Sequence, residues 1–370
     1  MTQNIVNYAK TEFSSFEEKP FSDVDSLILS QLSYMYFDGL VCGLKGRGRR
    51  VKLRDLYLAE HFPDMFKGIS DTDDDRALFF ALAANPRFRD ISLAYYTDES
   101  DYALEKQFSA VTFFIENSLA YVAFRGTDAT MLGWKENFNM AFRAPIPSQI
   151  AAAKYLNFVA ARAKCPIVVG GHSKGGNLAV YAAVMCSDKA KARIAAVYSH
   201  DGPGFMPKFF ENGKYAAIES LVHKTVPQGS VVGRLLEDSE VYTVIKSDGV
   251  GLMQHSPYTW VVEDGRFITL QSITDRAEYM DRTLNEWIDS LSPDEMSEFS
   301  EIIYKVLSEA NVTPVDLATG KLLESLPAVV NALKDLAPQV KSQAMNIVSR
   351  LTSISFKNMR KRHKKSDTQN

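Results

Sequence analysis

The sequence lacks the usual marks of a secreted or membrane-spanning protein. It has no run of about 18 apolar residues, the length at which a membrane-spanning helix is expected. Its first residues show no basic start followed by an apolar stretch, so we expect no signal peptide and a cytoplasmic location. Only three cysteines occur. Cys42, Cys165 and Cys186 are scattered without disulfide or metal-binding spacing, as is typical of a reducing compartment.

Excess charge of one sign is also lacking. The 42 Lys and Arg residues nearly balance the 45 Asp and Glu residues, and the net charge of −3 argues against a general nucleic-acid-binding protein. No internal repeat is visible. By contrast, 46% of the residues are hydrophobic and 11% are aromatic, which is enough for a sizeable core. The length of 370 residues corresponds to one large or two modest domains.

The most informative segment reads PIVVGGHSKGGNLAVYAA. Its apolar, β-branched run Ile167–Val169 predicts a buried central parallel strand. Gly171, Ser173 and Gly175 then form a G-x-S-x-G pattern, in which a strained strand-to-helix turn presents the serine hydroxyl above the sheet edge. A Cβ at either glycine would crowd the adjoining strand and helix. The following Ala, Leu and Val residues predict a helix whose first amides point toward a developing oxyanion.

A second motif lies upstream of this serine. Residues 108–115 and 119–127 predict a strand hairpin that ends in a loop, and the second strand reads LAYVAFRGT. Together, the FRGT loop and the glycine-flanked serine resemble the class 3 lipases of the α/β-hydrolase superfamily, over about residues 20–265. The longer run FRGTDATMLGWKENFNMAF resembles, more narrowly, an uncharacterised bacterial branch of those lipase-like proteins.

This resemblance implies an α/β-hydrolase fold, with a mostly parallel central sheet flanked by helices, and a serine hydrolase that needs neither a metal nor an organic cofactor. It also implies that Thr127 and the backbone amide of Lys174 bind the oxyanion, an interaction of large catalytic effect. The alternative to an oxyanion-binding role is that the loop containing Thr127 only ends a strand. Just past this loop, Trp134, Glu136 and Asn137 are interpreted as structural or as gating the substrate.

Six histidines are available as the general base. His255 lies on a loop late in the chain, after the last predicted strand, where α/β-hydrolases place their base. His172 lies inside the serine motif and is expected to pack internally. His200 and His223 remain alternatives to His255, and His363 lies in a basic tail.

The acidic residue departs from the pattern of class 3 lipases. There it follows the second strand after the serine, but the corresponding segment VHKTVPQGS contains no carboxylate. One strand earlier, Asp201 stands at the carboxyl end of a buried strand, where it could orient the imidazole or simply form an Asp-Gly turn. Glu237, Asp238 and Asp248 are the alternatives. If none of them reaches His255, the site is a Ser-His pair or is degraded.

The C-terminal part of the chain predicts an amphipathic helix that Pro338 either starts or kinks. Its apolar stripe consists of Leu336, Val340, Ala344, Ile347, Leu351 and Ile354. The following FKNMRKRHKK contains six Lys or Arg residues and no acidic residue. One interpretation is a helix that docks on the domain with a solvated tail; the other is an anchor to anionic membranes. No nucleic acid is expected as partner, since interleaved aromatic residues are lacking.

We therefore predict four regions along the chain. These are a helical lead-in packed on the core (1–85), an α/β-hydrolase core (86–270), a C-terminal helical region (271–355) and a basic flexible tail (356–370).

The predicted function is hydrolysis of a carboxylic ester of a lipid or another acyl compound. Ser173 is the nucleophile, His255 the base and Asp201 the orienting acid of a reaction through an acyl-enzyme. Thioester or peptide substrates stay open, because fold does not determine substrate. The alternative is a catalytically silent protein of this fold that serves as a binding protein or as a membrane-associated scaffold.

Overall fold

The computed structural model describes residues 3–46, 48–68, 72–116, 118–128, 130–211, 213–236, 241–312 and 322–366. The strands in chain order are β1 Val51–Lys52, β2 Ser92–Asp101, β3 Lys106–Ile115, β4 Leu119–Phe124, β5 Ile167–His172, β6 Ile194–His200, β7 Val222–Pro227, β8 Tyr242–Ile245, β9 Val262–Glu263, β10 Arg266–Phe267 and β11 Thr269–Leu270. The helices are α1 Ile5–Thr11, α2 Asp23–Leu32, α3 Phe62–Met65, α4 Thr72–Ala84, α5 Met131–Asn139, α6 Pro147–Ala160, α7 Lys174–Met185, α8 Asp188–Lys191, α9 Asp275–Asp289, α10 Pro293–Glu309, α11 Leu322–Lys334 and α12 Pro338–Ser366.

Within the described residues, one sheet contains nine strands in the order β1-β2-β3-β4-β5-β6-β7-β8-β11. Strands β4 to β8 are mutually parallel, while β1 to β4 and the edge pair β8–β11 are antiparallel. The predicted hairpin is therefore β3–β4. Because the carboxyl ends of parallel strands meet at one edge of a sheet, the loops after β4, β5 and β6 converge there.

The sheet separates two apolar cores because successive side chains of a strand point to opposite faces. One core contains side chains of α1, α2 and α4, and the other contains side chains of α6 and α7. Neighbouring strand residues alternate between the two cores. Phe113, Tyr121 and Val168 lie in the first core, and the residues that follow them, Phe114, Val122 and Val169, lie in the second. The predicted α/β-hydrolase fold class is confirmed: a parallel central sheet has helices on both faces and carries a strand–serine–helix turn.

Helices α9 to α12 form smaller apolar clusters beside this sandwich. Trp287 and Leu291 pack with Phe299 and Ile347, and Ile302 packs with neighbours on α11 and α12. Helix α10 also lies against α5, so the C-terminal helices are joined to the segment that follows the FRGT loop. The domain boundaries proposed from the sequence stay predictions.

Two details differ from the sequence-based expectations. The sheet does not end at β8, because β11 pairs with it. Helix α12 starts at Pro338 and continues to Ser366, beyond residue 356, where the tail was expected to begin. Lys and Arg are good helix formers and this segment contains no Gly or Pro, which explains the continuation. No helix in the described residues is both long and apolar enough to cross a membrane.

Candidate active site

Ser173 occupies the sharp turn between β5 and α7. Its backbone has φ 59° and ψ −133°, a conformation that is strained for a residue with a Cβ. The neighbouring glycines make the turn possible. A Cβ on Gly171 would lie 2.3 Å from the carbonyl carbon of Gly175, and one on Gly175 would lie 2.1 Å from the carbonyl oxygen of Phe124. The predicted strand–serine–helix geometry is therefore present.

Adjacent strands bring Asp201 to the same edge of the sheet. His172 at the end of β5 is paired in register with His200 at the end of β6, so the residues that follow them are neighbours. The Ser173 amide donates to the His200 carbonyl oxygen at 2.9 Å, and the Asp201 amide donates to the Thr225 carbonyl oxygen at 2.8 Å. The backbones of both residues are thus fixed by the sheet.

The Asp201 carboxylate accepts a hydrogen bond from Nδ1 of His255 at 2.6 Å. The Asp201 side chain is 1% exposed and the His255 side chain is 28% exposed. A second hydrogen bond to Asp201, from the Ser230 hydroxyl, holds the other carboxylate oxygen. This arrangement keeps the proton of neutral His255 on Nδ1 and leaves Nε2 as the acceptor, as a general base requires.

The other acidic candidates do not form this contact in the described residues. Asp248 is exposed and has no hydrogen bond with His255. Glu237 and Asp238 lie outside the described residues.

His172 supports the loop that carries His255. Its Nε2 donates to the His255 carbonyl oxygen at 2.9 Å, and the two ring centroids are 4.6 Å apart. The Tyr34 hydroxyl donates to Nδ1 of His172 at 3.3 Å. Burial, followed by the positive charge of a protonated His255, holds the pKa of His172 well below its usual value. His172 is therefore a neutral, buried support.

Among the described residues, the side chains of the other histidines form no hydrogen bond with the Asp201 carboxylate. His200 is buried, with the hydroxyls of Ser26 and Thr225 each 2.9 Å from one of its ring nitrogens. Burial, together with the charge of His223, lowers the pKa of His200 to about 3. His223 itself is exposed. The described residues also contain no group of three or more His, Cys, Asp or Glu side chains placed to hold a metal ion.

The Ser173 hydroxyl and the His255 imidazole are not hydrogen-bonded to each other among the described residues. They are brought into one region by His172, which precedes Ser173 in the chain and contacts the His255 ring. In enzymes without bound substrate, the contact between nucleophile and base is often long. The fold itself therefore provides the hydrogen-bonded His255–Asp201 pair and the turn that carries the Ser173 hydroxyl.

A buried network fixes the residue after the serine. The Lys174 ammonium donates to Oε2 of Glu136 at 3.1 Å, to the Gln107 carbonyl oxygen at 2.8 Å and to Oε1 of Gln107 at 2.6 Å. The side chains of Lys174 and Glu136 are both 0% exposed. Burial lowers the pKa of Lys174, and the Glu136 carboxylate opposes that shift. Glu136 also accepts the amides of Gln107 and Ser148, each at 3.0 Å. The network therefore joins the start of α7 to α5.

The FRGT loop passes directly beside the serine turn. A Cβ on Gly175 would lie 3.1 Å from the amide nitrogen of Gly126. The next residue, Thr127, accepts a hydrogen bond at its hydroxyl from the side-chain amide of Asn137 on α5. Thr127 is thus held in the region where the resemblance expects an oxyanion donor, and Lys174 provides a first-turn amide of α7.

A mostly apolar cavity of about 310 Å³ opens at Ser173. Its size lies at the lower end of the range for small-molecule sites. Besides Ser173 and Lys174, its walls include Trp134 and Phe138 of α5, Leu235, and Leu284, Trp287 and Met296 of α9 and α10. The C-terminal helices therefore form part of the wall over the serine.

Sequence reasoning missed two parts of this site. The Lys174 side chain and Glu136 form a buried ion pair, whereas the resemblance implies a role only for the backbone amide of Lys174. The available signal was a lysine between Ser173 and Gly175, inside a tightly packed turn, because buried charges need partners. The contribution of α9 and α10 to the cavity had no such local signal, since it depends on packing between distant segments.

The topology and the serine turn define an α/β-hydrolase with a candidate serine active site. The chain belongs to the Mbeg1-like family, a lipase-like family whose sequence profile matches residues 82–305.

Three solved structures are similar to part of the chain. A fungal lipase–inhibitor complex shares 13% identity over 55% of this chain and 83% of its own, with a TM-score of 0.36. The M37 lipase shares 13% identity over 58% of this chain and 70% of its own, with a TM-score of 0.35. The Rhizomucor miehei lipase–propeptide complex shares 12% identity over 54% of this chain and 71% of its own, with a TM-score of 0.29. No curated protein sequence shows a significant match.

Proposed function

We propose that this protein is a serine hydrolase that cleaves a carboxylic ester of a lipid or another acyl compound. The observation that carries the proposal is the His255–Asp201 hydrogen bond at the same sheet edge as the strained Ser173 turn. The apolar cavity at Ser173 supports an acyl group as the ligand, because its described walls are mainly hydrocarbon. We also propose that the resemblance to an uncharacterised bacterial branch of lipase-like proteins reflects a shared chemistry.

The reaction begins when Nε2 of His255 takes the proton of the Ser173 hydroxyl and the serine oxygen attacks the ester carbonyl carbon. Asp201 stays ionised, accepts the hydrogen bond from Nδ1 of His255 throughout and stabilises the imidazolium that forms. The amides of Lys174 and Thr127 donate to the oxyanion of the tetrahedral intermediate. This intermediate collapses to the acyl-enzyme, and His255 returns the proton to the leaving alcohol.

Water completes the cycle. His255 takes a proton from water as it attacks the acyl carbon, and the second intermediate releases the carboxylic acid with the proton returned to Ser173. The buried ion pair between Lys174 and Glu136 contributes by keeping the first turn of α7 in place beside the FRGT loop.

The alternative, a silent binding or scaffold protein, was supported by the lack of a carboxylate in the segment of β7. The contact of Asp201 with His255 supports the hydrolase instead, because a residue from the preceding strand fills that role.

The proposal is tested with p-nitrophenyl esters of increasing acyl length. We expect the wild type to hydrolyse them and Ser173→Ala to lose at least about a thousandfold in kcat/KM. Ser187→Ala is the control, since this hydroxyl starts α8 and does not line the cavity. Equal hydrolysis by the wild type and Ser173→Ala would refute the role of Ser173, and a folded wild type inert toward every ester would favour the silent alternative.

A further inference from the structure

The last helix carries two apolar stripes. The first contains Ala344, Ile347, Leu351 and Ile354, which pack in the clusters formed with α9, α10 and α11. The second stays exposed and consists of Met345 (63%), Val348 (43%), Phe356 (58%) and Met359 (42%). The spacings within this exposed stripe are three, eight and three residues, so its members lie along one side of the helix. With a rise of 1.5 Å per residue, the exposed stripe is about 20 Å long.

The same helix concentrates the positive charge of the chain. Residues 338–366 contain eight Lys or Arg residues and no Asp or Glu: Lys341, Arg350, Lys357, Arg360, Lys361, Arg362, Lys364 and Lys365. The chain has 42 basic and 45 acidic residues, so the rest holds 34 (42 less 8) against 45 and has a net charge of −11. A helix of charge +8 on a body of charge −11 indicates an anionic partner.

Helix α12 is fixed to the protein, so its exposed stripe has a defined direction. The Tyr279 hydroxyl donates to the Ser355 carbonyl oxygen at 3.1 Å, and the Asn358 side-chain amide donates to the Thr283 hydroxyl at 3.3 Å. One turn further along α9, the Trp287 indole donates to a carbonyl oxygen of α12 at 3.0 Å. Helix α9 therefore holds α12 along most of the exposed stripe.

We propose that the exposed face of α12, defined by Met345, Val348, Phe356 and Met359, docks on an anionic lipid membrane. The apolar side chains enter the interface while the basic residues of the helix contact anionic head groups. A nucleic acid would use the charges but not a stripe that is rich in Met and Val. A second copy would bring an equally basic helix against this one and would be repelled.

Helix α12 packs against one wall of the cavity at Ser173. Trp287 lines that cavity and also contacts α12 through its indole N–H. A membrane bound to the exposed face of α12 would therefore be separated from this wall of the candidate active site by the helix itself, whose diameter is about 10 Å. Membrane binding itself does not depend on the proposed ester hydrolysis.

The test is cosedimentation of the full chain with vesicles of phosphatidylcholine alone or mixed with phosphatidylglycerol. We expect binding to the anionic vesicles only, and at least about tenfold weaker binding for Phe356→Ser/Met359→Ser. The matched control is Phe13→Ser/Leu58→Ser, whose side chains are 58% and 41% exposed outside α12, and it should bind like the wild type.

A second variant tests the charge without changing the apolar stripe. Replacing Arg360, Lys361, Arg362, Lys364 and Lys365 by Gln should weaken binding to anionic vesicles and reduce its sensitivity to salt between about 0.1 and 1 M. Ser173→Ala should bind vesicles like the wild type, so a failure of the proposed hydrolysis is distinguishable from a failure of membrane docking. Circular dichroism checks that each variant is folded.

Four results would overturn the proposal. They are no binding of the wild type to anionic vesicles, equal binding to neutral vesicles, unchanged binding of Phe356→Ser/Met359→Ser, and binding of a DNA duplex without binding of vesicles. A dimer in light scattering that Phe356→Ser/Met359→Ser dissociates, without any vesicle binding, would assign the face to a second copy instead.

Discussion

The two halves of the candidate site are built in different ways. The nucleophile half is a single continuous segment, β5–Ser173–α7, whose shape depends on two glycines and a buried strand. The base half joins Asp201 to His255, which are 54 residues apart and belong to different loops. Local sequence therefore specifies the first half, whereas the second exists only once the sheet and its connections are folded.

The halves also differ in their exposure to water. The Lys174–Glu136 pair behind the serine is 0% exposed, whereas the His255 side chain is 28% exposed. A dry ion pair keeps the first turn of α7 in place. A half-buried imidazole can exchange protons with solvent. We therefore expect substitutions in the base half to act mainly on activity and those behind the serine mainly on stability.

The largest expected effect is that of Asp201→Asn in the base half. The amide would favour the wrong tautomer of His255, and we expect kcat to fall by about 10⁴-fold. Ester hydrolysis by folded protein measures it, with Asp248→Asn as the exposed comparison. Activity within about tenfold of the wild type for Asp201→Asn would remove Asp201 from the site.

Substitutions in the nucleophile half should mainly lower the stability of the protein. Lys174→Met leaves the buried Glu136 carboxylate without its ion-pair partner, and we expect a loss of about 3–5 kcal/mol in the free energy of unfolding. Urea unfolding measures this loss. Adding Glu136→Gln should recover part of it, since no uncompensated charge then remains.

The control for that experiment is Lys106→Met. Lys106 pairs with a half-exposed Glu99, and the loss of such a pair costs about 1 kcal/mol or less. If Lys174→Met lowers the free energy of unfolding by no more than Lys106→Met does, the buried network does not stabilise the nucleophile half.

A smaller effect concerns His200, which lies in the sheet between the two halves. The pKa of His200 is lowered to about 3 in the folded protein. As the pH falls below the ordinary pKa of histidine, the unfolded chain therefore binds the proton before the folded protein does. The stability that neutral His200 contributes is therefore complete above about pH 6.5 and is lost as the pH falls toward 3. Between pH 7.5 and 4.5 we expect this residue alone to cost about 2–3 kcal/mol.

Urea unfolding of the wild type and His200→Asn across this pH range tests that effect. The variant should be less stable at neutral pH and should lose less stability on acidification. His61→Asn, a histidine that does not contribute to the lowered pKa of His200, serves as the comparison. An unchanged pH dependence in His200→Asn would contradict the role given to burial.

The same contrast explains how far the sequence could predict the molecule. The strand–serine–helix turn, the β3–β4 hairpin and the internal packing of His172 follow from local patterns and are present in the structure. Asp201 was preferred to Asp248 because it follows a buried strand, but the sequence alone did not exclude a simple Asp-Gly turn. The contact of Asp201 with His255 depends on the register that places His200 beside His172. The cavity wall from α9 and α10 was also unpredictable, since it depends on how an amphipathic helix packs on a distant loop.

The most direct test of the account is the rate at which a fluorophosphonate labels the intact protein, with the labelled residue located by mass spectrometry. The account predicts labelling at Ser173 and a rate that falls by at least about a thousandfold in His255→Ala, because the serine is reactive only when its proton has an acceptor. A folded wild type that is not labelled, or labelling that His255→Ala leaves unchanged, would contradict it.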